Sequence, residues 1–412
     1  MRSRHSESTQ HALSLPAPSA DAKALSAALV EEVRRAIDDA GGSIGFERYM
    51  AMAMYDPQFG YYHNGSRKFG AGGDFVTAPE ISPLFARAMA GHCARALKEL
   101  EGGDLLEFGP GSGALAAQML TELERLEALP GRYLMLELSG ELRQRQHDWL
   151  RTSVPHLADR VEWLQALPAQ GFTGVVLANE VLDAMPVTCF AVREADVLER
   201  RVGCDPGGAP AFREYRADEL ARARVDGITA SLPEPLCDGY CSEFNPAVDA
   251  WVRALSERLE RGLILICDYG YPRREYYHPQ RRNGTLLCHY RHRAHADPFF
   301  YPGLQDISAN VDFTAVAEAA AAAQLDLIAY TSQSQFLLGS GVLDTLELVD
   351  NDAERLRVAQ EIKLLTLPGE MGDRFQVMAL VKNYAPTTHI SSRDLRGLRQ
   401  VVSVFSTVGL AK

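Results

Sequence analysis

The chain has 412 residues, 46% of them hydrophobic and 23% charged, and its 54 acidic and 42 basic side chains leave a formal net charge of −12. That length suits one large domain with insertions, or two domains, with an ordinary globular core. The acidic balance argues against a nucleic-acid partner, since a surface that tracks phosphates is basic, and no apolar run approaches the ~20 residues of a membrane span.

The first 22 residues carry Arg and Ser but no apolar core, so a disordered start is expected rather than a secretory signal. Residues 23–39 place apolar side chains at helical spacing and stop at Gly41–Gly42. A second helix lies in IGFERYMAMAMYDPQFGYY, closed by Asp56–Pro57, and a third in PLFARAMAGHCARALKEL. From residue 103 the pattern changes. Strands are expected at 103–109, 132–138, 160–164, 174–180, 263–270, over DLIAYT and at 375–383, and most are separated by helices such as GALAAQMLTEL and VDAWVRALSERLERG. Short apolar strands alternating with helices predict an α/β fold, a doubly wound, mostly parallel sheet covered on both faces.

Two stretches break the rhythm. Residues 188–216 read as a hairpin laid outside the sheet, and 271–311 are rich in Arg, His, Tyr, Pro and Gly; long irregular stretches inside a compact domain are usually functional or disordered. The tail 384–412 receives no assignment. The seven cysteines are scattered, without metal-type CxxC pairs, and are expected to be reduced thiols with no metal site. Only six of the 42 basic residues are Lys, a bias that points to a GC-rich bacterial genome and so to a bacterial cytoplasm.

LLEFGPGSGALAAQML reads as a strand, a tight turn at Gly109, Gly111 and Gly113, and a helix. Such a turn lets a ligand approach the backbone and meet free N–H groups at the helix start. It also satisfies the relaxed dinucleotide pattern, with Ala114 in the last position, and a tight turn without a ligand is the plain alternative. Two carboxylates sharpen the choice. Glu137, at the end of the second strand, is placed to accept both hydroxyl hydrogens of a ribose. Glu107, just before the glycines, would repel the pyrophosphate of NAD but suits the ammonium of S-adenosylmethionine. The cofactor expected is therefore S-adenosyl-L-methionine.

GGDFVTAPEISPLF (72–85), LEFGPGSGALA (106–116), ANEVLDAMPV (178–187), DYGY (268–271), GTL (284–286), PGLQDISANVDFTAVAEAA (302–320) and LPGEMGDRFQVMAL (367–380) occur in that order. Together they resemble the MidA family of class I methyltransferases, which includes the mitochondrial complex I assembly-factor methyltransferase. The likeness runs from about residue 23 to 382. Its glycine motif is common to many methyltransferases, whereas DFVTAPEISPLF and ANEVLDAMP are more specific. The resemblance implies a seven-stranded Rossmann-like sheet over 101–383 with insertions at about 188–216 and 271–311. It also implies an N-terminal helical cap over 23–100 that carries a cofactor or substrate loop. The activity it implies is methylation of a protein arginine, with a respiratory complex I subunit as a candidate target.

In a doubly wound sheet the ligand lies at the carboxyl ends of the strands near the switch point. Asn179 and Glu180, ending the fourth strand, are expected to face the methyl group and the incoming nucleophile. Glu180 and Asp183 suit a guanidinium, which pairs with carboxylates in fork geometry. The plain alternatives are that Asp183 caps a following helix and that Glu180 pairs with a core Arg. Glu80 is a candidate third carboxylate, or the first turn of a capped helix. Thr77 is placed to bond the methionine end of the cofactor and Gln165 to contact adenine. In RRNGTLLCHYRHRAHADP, His292 fits the family pattern best, as a structural residue or a proton carrier, while the spacing is wrong for zinc. The partner expected is a protein substrate, with neither nucleic acid nor membrane, and a homodimer is one arrangement considered. The rival readings are an NAD-dependent oxidoreductase and a cofactor-binding assembly chaperone without turnover.

Overall fold

The computed structural model describes residues 15–63 and 77–386. The expected disordered start up to residue 14, the cofactor or substrate loop up to Val76 and the tail from residue 387 lie outside the described residues.

Seven strands form the main sheet: β1 (Asp104–Phe108), β2 (Tyr133–Leu136), β3 (Val161–Leu164), β4 (Phe172–Asn179), β5 (Leu259–Tyr271), β6 (Asp326–Ser332) and β7 (Phe375–Lys382). Their order is β6-β7-β5-β4-β1-β2-β3, and the two-residue strand Val311–Asp312 pairs with the end of β5. The pairs β1–β2, β1–β4, β2–β3 and β4–β5 are parallel, while β7 runs antiparallel to β5 and β6. The order reverses between β1 and β4, which makes their carboxyl ends the switch point.

Both faces of the sheet are covered, so Val175, Val176, Leu177 and Ala178 are all buried in sequence. One core joins Leu105, Val175, Leu177 and Leu265 to the helices Pro83–Glu99 and Ala114–Arg125. The other joins Leu106, Val176, Ile264 and Ile266 to Val248–Arg258 and Phe313–Ala322. The period-2 alternation of each strand divides its side chains between these cores.

Several expectations need revision. The first helix spans Ala20–Asp39, capped by the Ser19 hydroxyl, so it starts inside the stretch expected to be disordered. The first insertion is larger than a hairpin. Thr188–Arg193, Asp196–Cys204, Pro210–Arg216 and Cys241–Phe244 make a four-stranded antiparallel sheet, with the helix Glu219–Ala230 between the last two. The second insertion is ordered too: Leu287–Tyr290 is the central strand between Arg293–His295 and Asp306–Ser308. The helices Gln333–Gly339 and Asp352–Thr366, between β6 and β7, had no counterpart in the expectations.

The N-terminal helices pack on these insertions. Val33, Phe46, Tyr49 and Met54 share a core with Val187 and Val202 of the first insertion and with Cys288 and Ile307 of the second. Ile44 and Val202 exchange backbone hydrogen bonds of 2.9 and 2.8 Å. Cap and insertions thus form one lobe beside the sheet. No helix among the described residues is long and apolar enough to cross a membrane.

Candidate active site

A cavity of about 410 Å³ opens at the switch point, bounded by the ends of β1, β2 and β4 and by the cap lobe, within the size range of small-molecule sites. Its floor is the glycine turn. Gly109 (φ +56°) and Gly111 (φ +53°) line it in backbone conformations that a β-carbon disfavours. Gly113 (φ +81°) begins the next helix and packs against Gln146 instead.

Glu107 and Glu137 stand at the two sides of this turn. Glu107 is buried and accepts a 2.8 Å hydrogen bond from the Tyr133 hydroxyl; burial pushes its carboxyl up to about 7. Glu137 accepts from the Ser139 N–H at 2.8 Å and from Gln146 Nε2 at 3.1 Å, and burial raises it as well. Gln146 Nε2 also donates to the Gly111 carbonyl at 2.9 Å, while its Oε1 accepts from Trp163 Nε1 at 2.9 Å. One satisfied amide therefore fixes the glycine turn relative to Glu137.

The opposite end is acidic. No helix follows β4, so Asp183 is not a helix cap; the chain turns through residues 180–185. Asp268, fully buried at the end of β5, holds that turn. Its Oδ2 accepts from the N–H groups of Val181, Leu182 and Asp183 at 3.1, 2.8 and 3.3 Å. Glu180 adopts φ +54°, and its carboxylate accepts from Asn179 Nδ2 at 3.2 Å and from the Tyr269 hydroxyl at 3.3 Å. Among the described residues it pairs with no Arg. Burial, then the neighbouring Asp268 charge, pushes Glu180 up to about 8. Asp183 is raised by burial, then by Asp268, Glu180 and Asp306. The buried Asp183 Oδ1 and Asn179 Oδ1 have no hydrogen-bond partner among the described residues. Acceptors left unpaired at a cavity wall call for a donor from water or from a bound ligand.

The cap lobe closes this end. Asp306 and His289 line the cavity from the second insertion, paired across its strands, with His289 Nδ1 3.7 Å from Asp306 Oδ2. Tyr55, ending the helix Phe46–Tyr55, and Tyr62, in the turn after it, line it with their rings stacked at 5.4 Å, and the Tyr55 hydroxyl donates to the Ala184 carbonyl at 2.7 Å.

Of the residues singled out in the sequence, Thr77, Glu107, Gly109, Gly111, Glu137, Asn179, Glu180 and Asp183 line this one cavity. Gly113 does not, for the packing reason above. Gln165 is exposed past β3, outside the cavity lining; with its amide oxygen turned inward it accepts from the Arg143 guanidinium. Glu80 lies on the helix Ala78–Ile81 and is not among the lining residues, so Asp306 takes the place proposed for it. His292 is exposed at a two-residue hairpin turn, where Arg291 and His292 both have positive φ (+48° and +59°). The histidine that faces the cavity from this hairpin is His289.

Sequence reasoning missed Asp268, Asp306, His289, Gln146 and the tyrosine pair. DYGY and PGLQDISANV held the two aspartates without revealing their roles. No group of His, Cys, Asp or Glu among the described residues is arranged to hold a metal ion.

The lining fits S-adenosyl-L-methionine. Its acids suit an ammonium and ribose hydroxyls, and the unpaired acceptors of Asn179 and Asp183 suit a group rich in donors or positive charge. No Lys or Arg lines the cavity among the described residues, so a pyrophosphate would find no permanently charged cation there and would face Glu107 and Glu137.

Comparison with known proteins agrees. A family model for S-adenosyl-L-methionine-dependent methyltransferases matches residues 88–331. The mitochondrial protein arginine methyltransferase NDUFAF7 of Danio rerio is 27% identical over 382 residues, 86% of each chain. The Drosophila melanogaster homolog is 29% identical over 399 residues, 88% of this chain and 87% of its own. The crystal structure of a COG1565-superfamily protein from Burkholderia thailandensis bound to S-adenosyl-homocysteine is 45% identical, with a TM-score of 0.87, and covers 94% of this chain and 99% of that one. This chain therefore belongs to the MidA family of S-adenosyl-L-methionine-dependent methyltransferases.

Proposed function

We propose that this methyltransferase acts on a side-chain nitrogen of arginine in a protein substrate. The observation that carries the reading is the acidic end of the cavity, where Glu180 and Asp183 flank the switch point and buried carboxylate and amide oxygens await donors. A guanidinium is planar, permanently charged and rich in N–H donors, and it pairs with carboxylates in fork geometry. The Tyr55 and Tyr62 rings add faces on which a planar cation stacks.

Bound S-adenosyl-L-methionine supplies a methyl group made electrophilic by its sulfonium. Glu107 would hold its ammonium and Glu137 its ribose hydroxyls. Leu138, 62% exposed at the cavity edge, offers an apolar surface for the adenine. Glu180 and Asp183 hold the guanidinium and aim one nitrogen at the methyl. Such orientation turns a bimolecular transfer into an effectively unimolecular one. A carboxylate cannot deprotonate free arginine, whose pKa exceeds ~12. The proton has to leave only during or after transfer; burial raises the Glu180 carboxyl to about 8, a guanidinium beside it favours the carboxylate, and that carboxylate is suited to receive the proton.

The names of the NDUFAF7 relatives support arginine as the acceptor. The test is mass spectrometry of methylarginine peptides in cells with and without this protein, with respiratory complex I subunits inspected first. The expected result is that at least one methylarginine peptide disappears on deletion and returns with the wild-type protein but not with Glu180→Gln. An unchanged methylarginine inventory would overturn the reading and favour cofactor binding without turnover.

A further inference from the structure

We propose that His289, positioned by Asp306, carries the proton of the methylated nitrogen out of the acidic end of the cavity. The inference rests on the arginine reading above and assigns a residue that this reading does not use. As the guanidinium nitrogen bonds the methyl carbon, the carbon–sulfur bonding pair stays on sulfur. The product keeps a single positive charge, so one proton must leave that nitrogen and reach solvent.

The carboxylates around the acceptor are poorly placed to finish that journey. Asp183 and Asp306 are only 7% and 6% exposed, and Asp268 is fully buried with its oxygens committed to backbone N–H groups. A proton left among them would neutralise the clamp for the next substrate. His289 spans the needed boundary: it lines the same cavity, yet its side chain remains 24% exposed. Imidazole exchanges protons near neutral pH, which the surrounding groups do not do unless perturbed.

The fold fixes His289 there. Leu287–Tyr290 buries Cys288 and Tyr290 on one side, which turns His289 to the other. Cross-strand register sets it opposite Asp306, and the 3.7 Å separation is an ion-pair distance rather than a hydrogen bond; such contacts tighten in the substrate complex. Asp306 is also the link to the acceptor end, since its charge acts on both Glu180 and Asp183. The other titratable groups facing this corner are His295 on the neighbouring strand, Glu180 and Asp183 on the turn after β4, and Tyr55 and Tyr62 from the cap. Neutral His289 is the form that accepts the proton.

The test uses the full chain, tritiated S-adenosyl-L-methionine and, as methyl acceptor, an extract of the parent organism from a strain lacking the protein. Label is read on arginine after hydrolysis. His289→Gln should bind S-adenosyl-homocysteine as wild type does in calorimetry, which also reports that it folds. Its kcat should fall by about 100-fold, the scale of lost acid–base assistance, with KM for the extract within threefold. Imidazole should partly restore His289→Ala, and Asp306→Asn should lower kcat less than His289→Gln does. An unaltered kcat in His289→Gln, beside a wild type that labels arginine, would sink the relay alone. Absence of label on arginine with the wild type would sink the arginine reading and the relay with it.

Discussion

Glu180 combines features seldom found together: a positive φ without being glycine, a half-buried carboxyl at the cavity, and Asp183, Asp268 and Asp306 as acidic neighbours. Strained backbone of this kind persists where the surroundings over-determine it and is concentrated at functional sites. Glu180→Gln keeps the shape and removes the charge. It should leave S-adenosyl-homocysteine binding within threefold by calorimetry while cutting methyl transfer at least 100-fold, about 3 kcal/mol in the barrier. Full transfer by this variant would remove the carboxylate clamp from the mechanism.

The same residue makes a stability prediction. Its carboxyl titrates near 4.5 when unfolded and is pushed up to about 8 in the fold, so the folded state holds the proton more tightly. The stability this contributes is complete below about 4.5 and is lost as pH rises through about 8. Without cofactor, Glu180→Gln should therefore melt at a higher temperature than wild type at pH 9 and at an equal one at pH 4. A lower melting temperature at pH 9 would mean that Glu180 is stabilised as an anion. On the cofactor side, Glu137→Ala should weaken S-adenosyl-homocysteine binding by about 1.5–3 kcal/mol, the scale of hydrogen bonds to a charged group. Normal calorimetric affinity would show that the ribose does not lean on Glu137.

Residues adjacent in sequence were the legible ones. Asn179, Glu180 and Asp183 end a buried strand, and Glu107 precedes a glycine turn. His289 was not legible, because only the pairing of its strand with Asp306–Ser308 decides which side it faces. His292 fitted the family pattern better, and only the turn that places it in solvent set it aside.

At the scale of elements, the turn after β4 shows how a neighbouring strand builds a site. Residues 181–183 would leave three N–H groups without acceptors if Asp268 were absent, so the end of β5 shapes the end of β4. Asp268→Ala should lower stability by about 3 kcal/mol, since each buried unpaired group costs ~1–3 kcal/mol and some will find water. It should also reduce methyl transfer at least tenfold, because Glu180 and Asp183 ride on that turn. S-adenosyl-homocysteine should still bind, the glycine turn and Glu137 being held separately by Gln146. Denaturant titration, calorimetry and the tritium assay read the three effects; a variant of native stability would show that the turn holds itself. The sequence displayed Asp268 in DYGY, but the strand order that puts β5 beside β4 is a tertiary fact. The first insertion was likewise underestimated, because Cys241–Phe244 completes its sheet only after an intervening helix, and periodicity alone cannot pair distant strands.

At the scale of the molecule, the cavity is divided between two bodies of structure. The doubly wound sheet supplies the glycine turn, Glu137 and the acids after β4, while the cap lobe supplies Tyr55, Tyr62, His289 and Asp306. The alternation of strands and helices made the sheet readable. That the N-terminal helices rest on the insertions was not, since those contacts join segments far apart in sequence. A ligand filling the cavity touches both bodies and should stabilise both. At 100 times its dissociation constant, a ligand specific for the folded state adds about 2.7 kcal/mol. Hydrogen exchange with S-adenosyl-homocysteine should therefore slow in the helix Phe46–Tyr55 as well as at the start of Ala114–Arg125. Gly111→Val, which puts a branched side chain at φ +53° against the cofactor, should abolish both effects together. Protection confined to the sheet would mean that the cap closes only on the second substrate, and that Tyr55 and Tyr62 serve the acceptor alone.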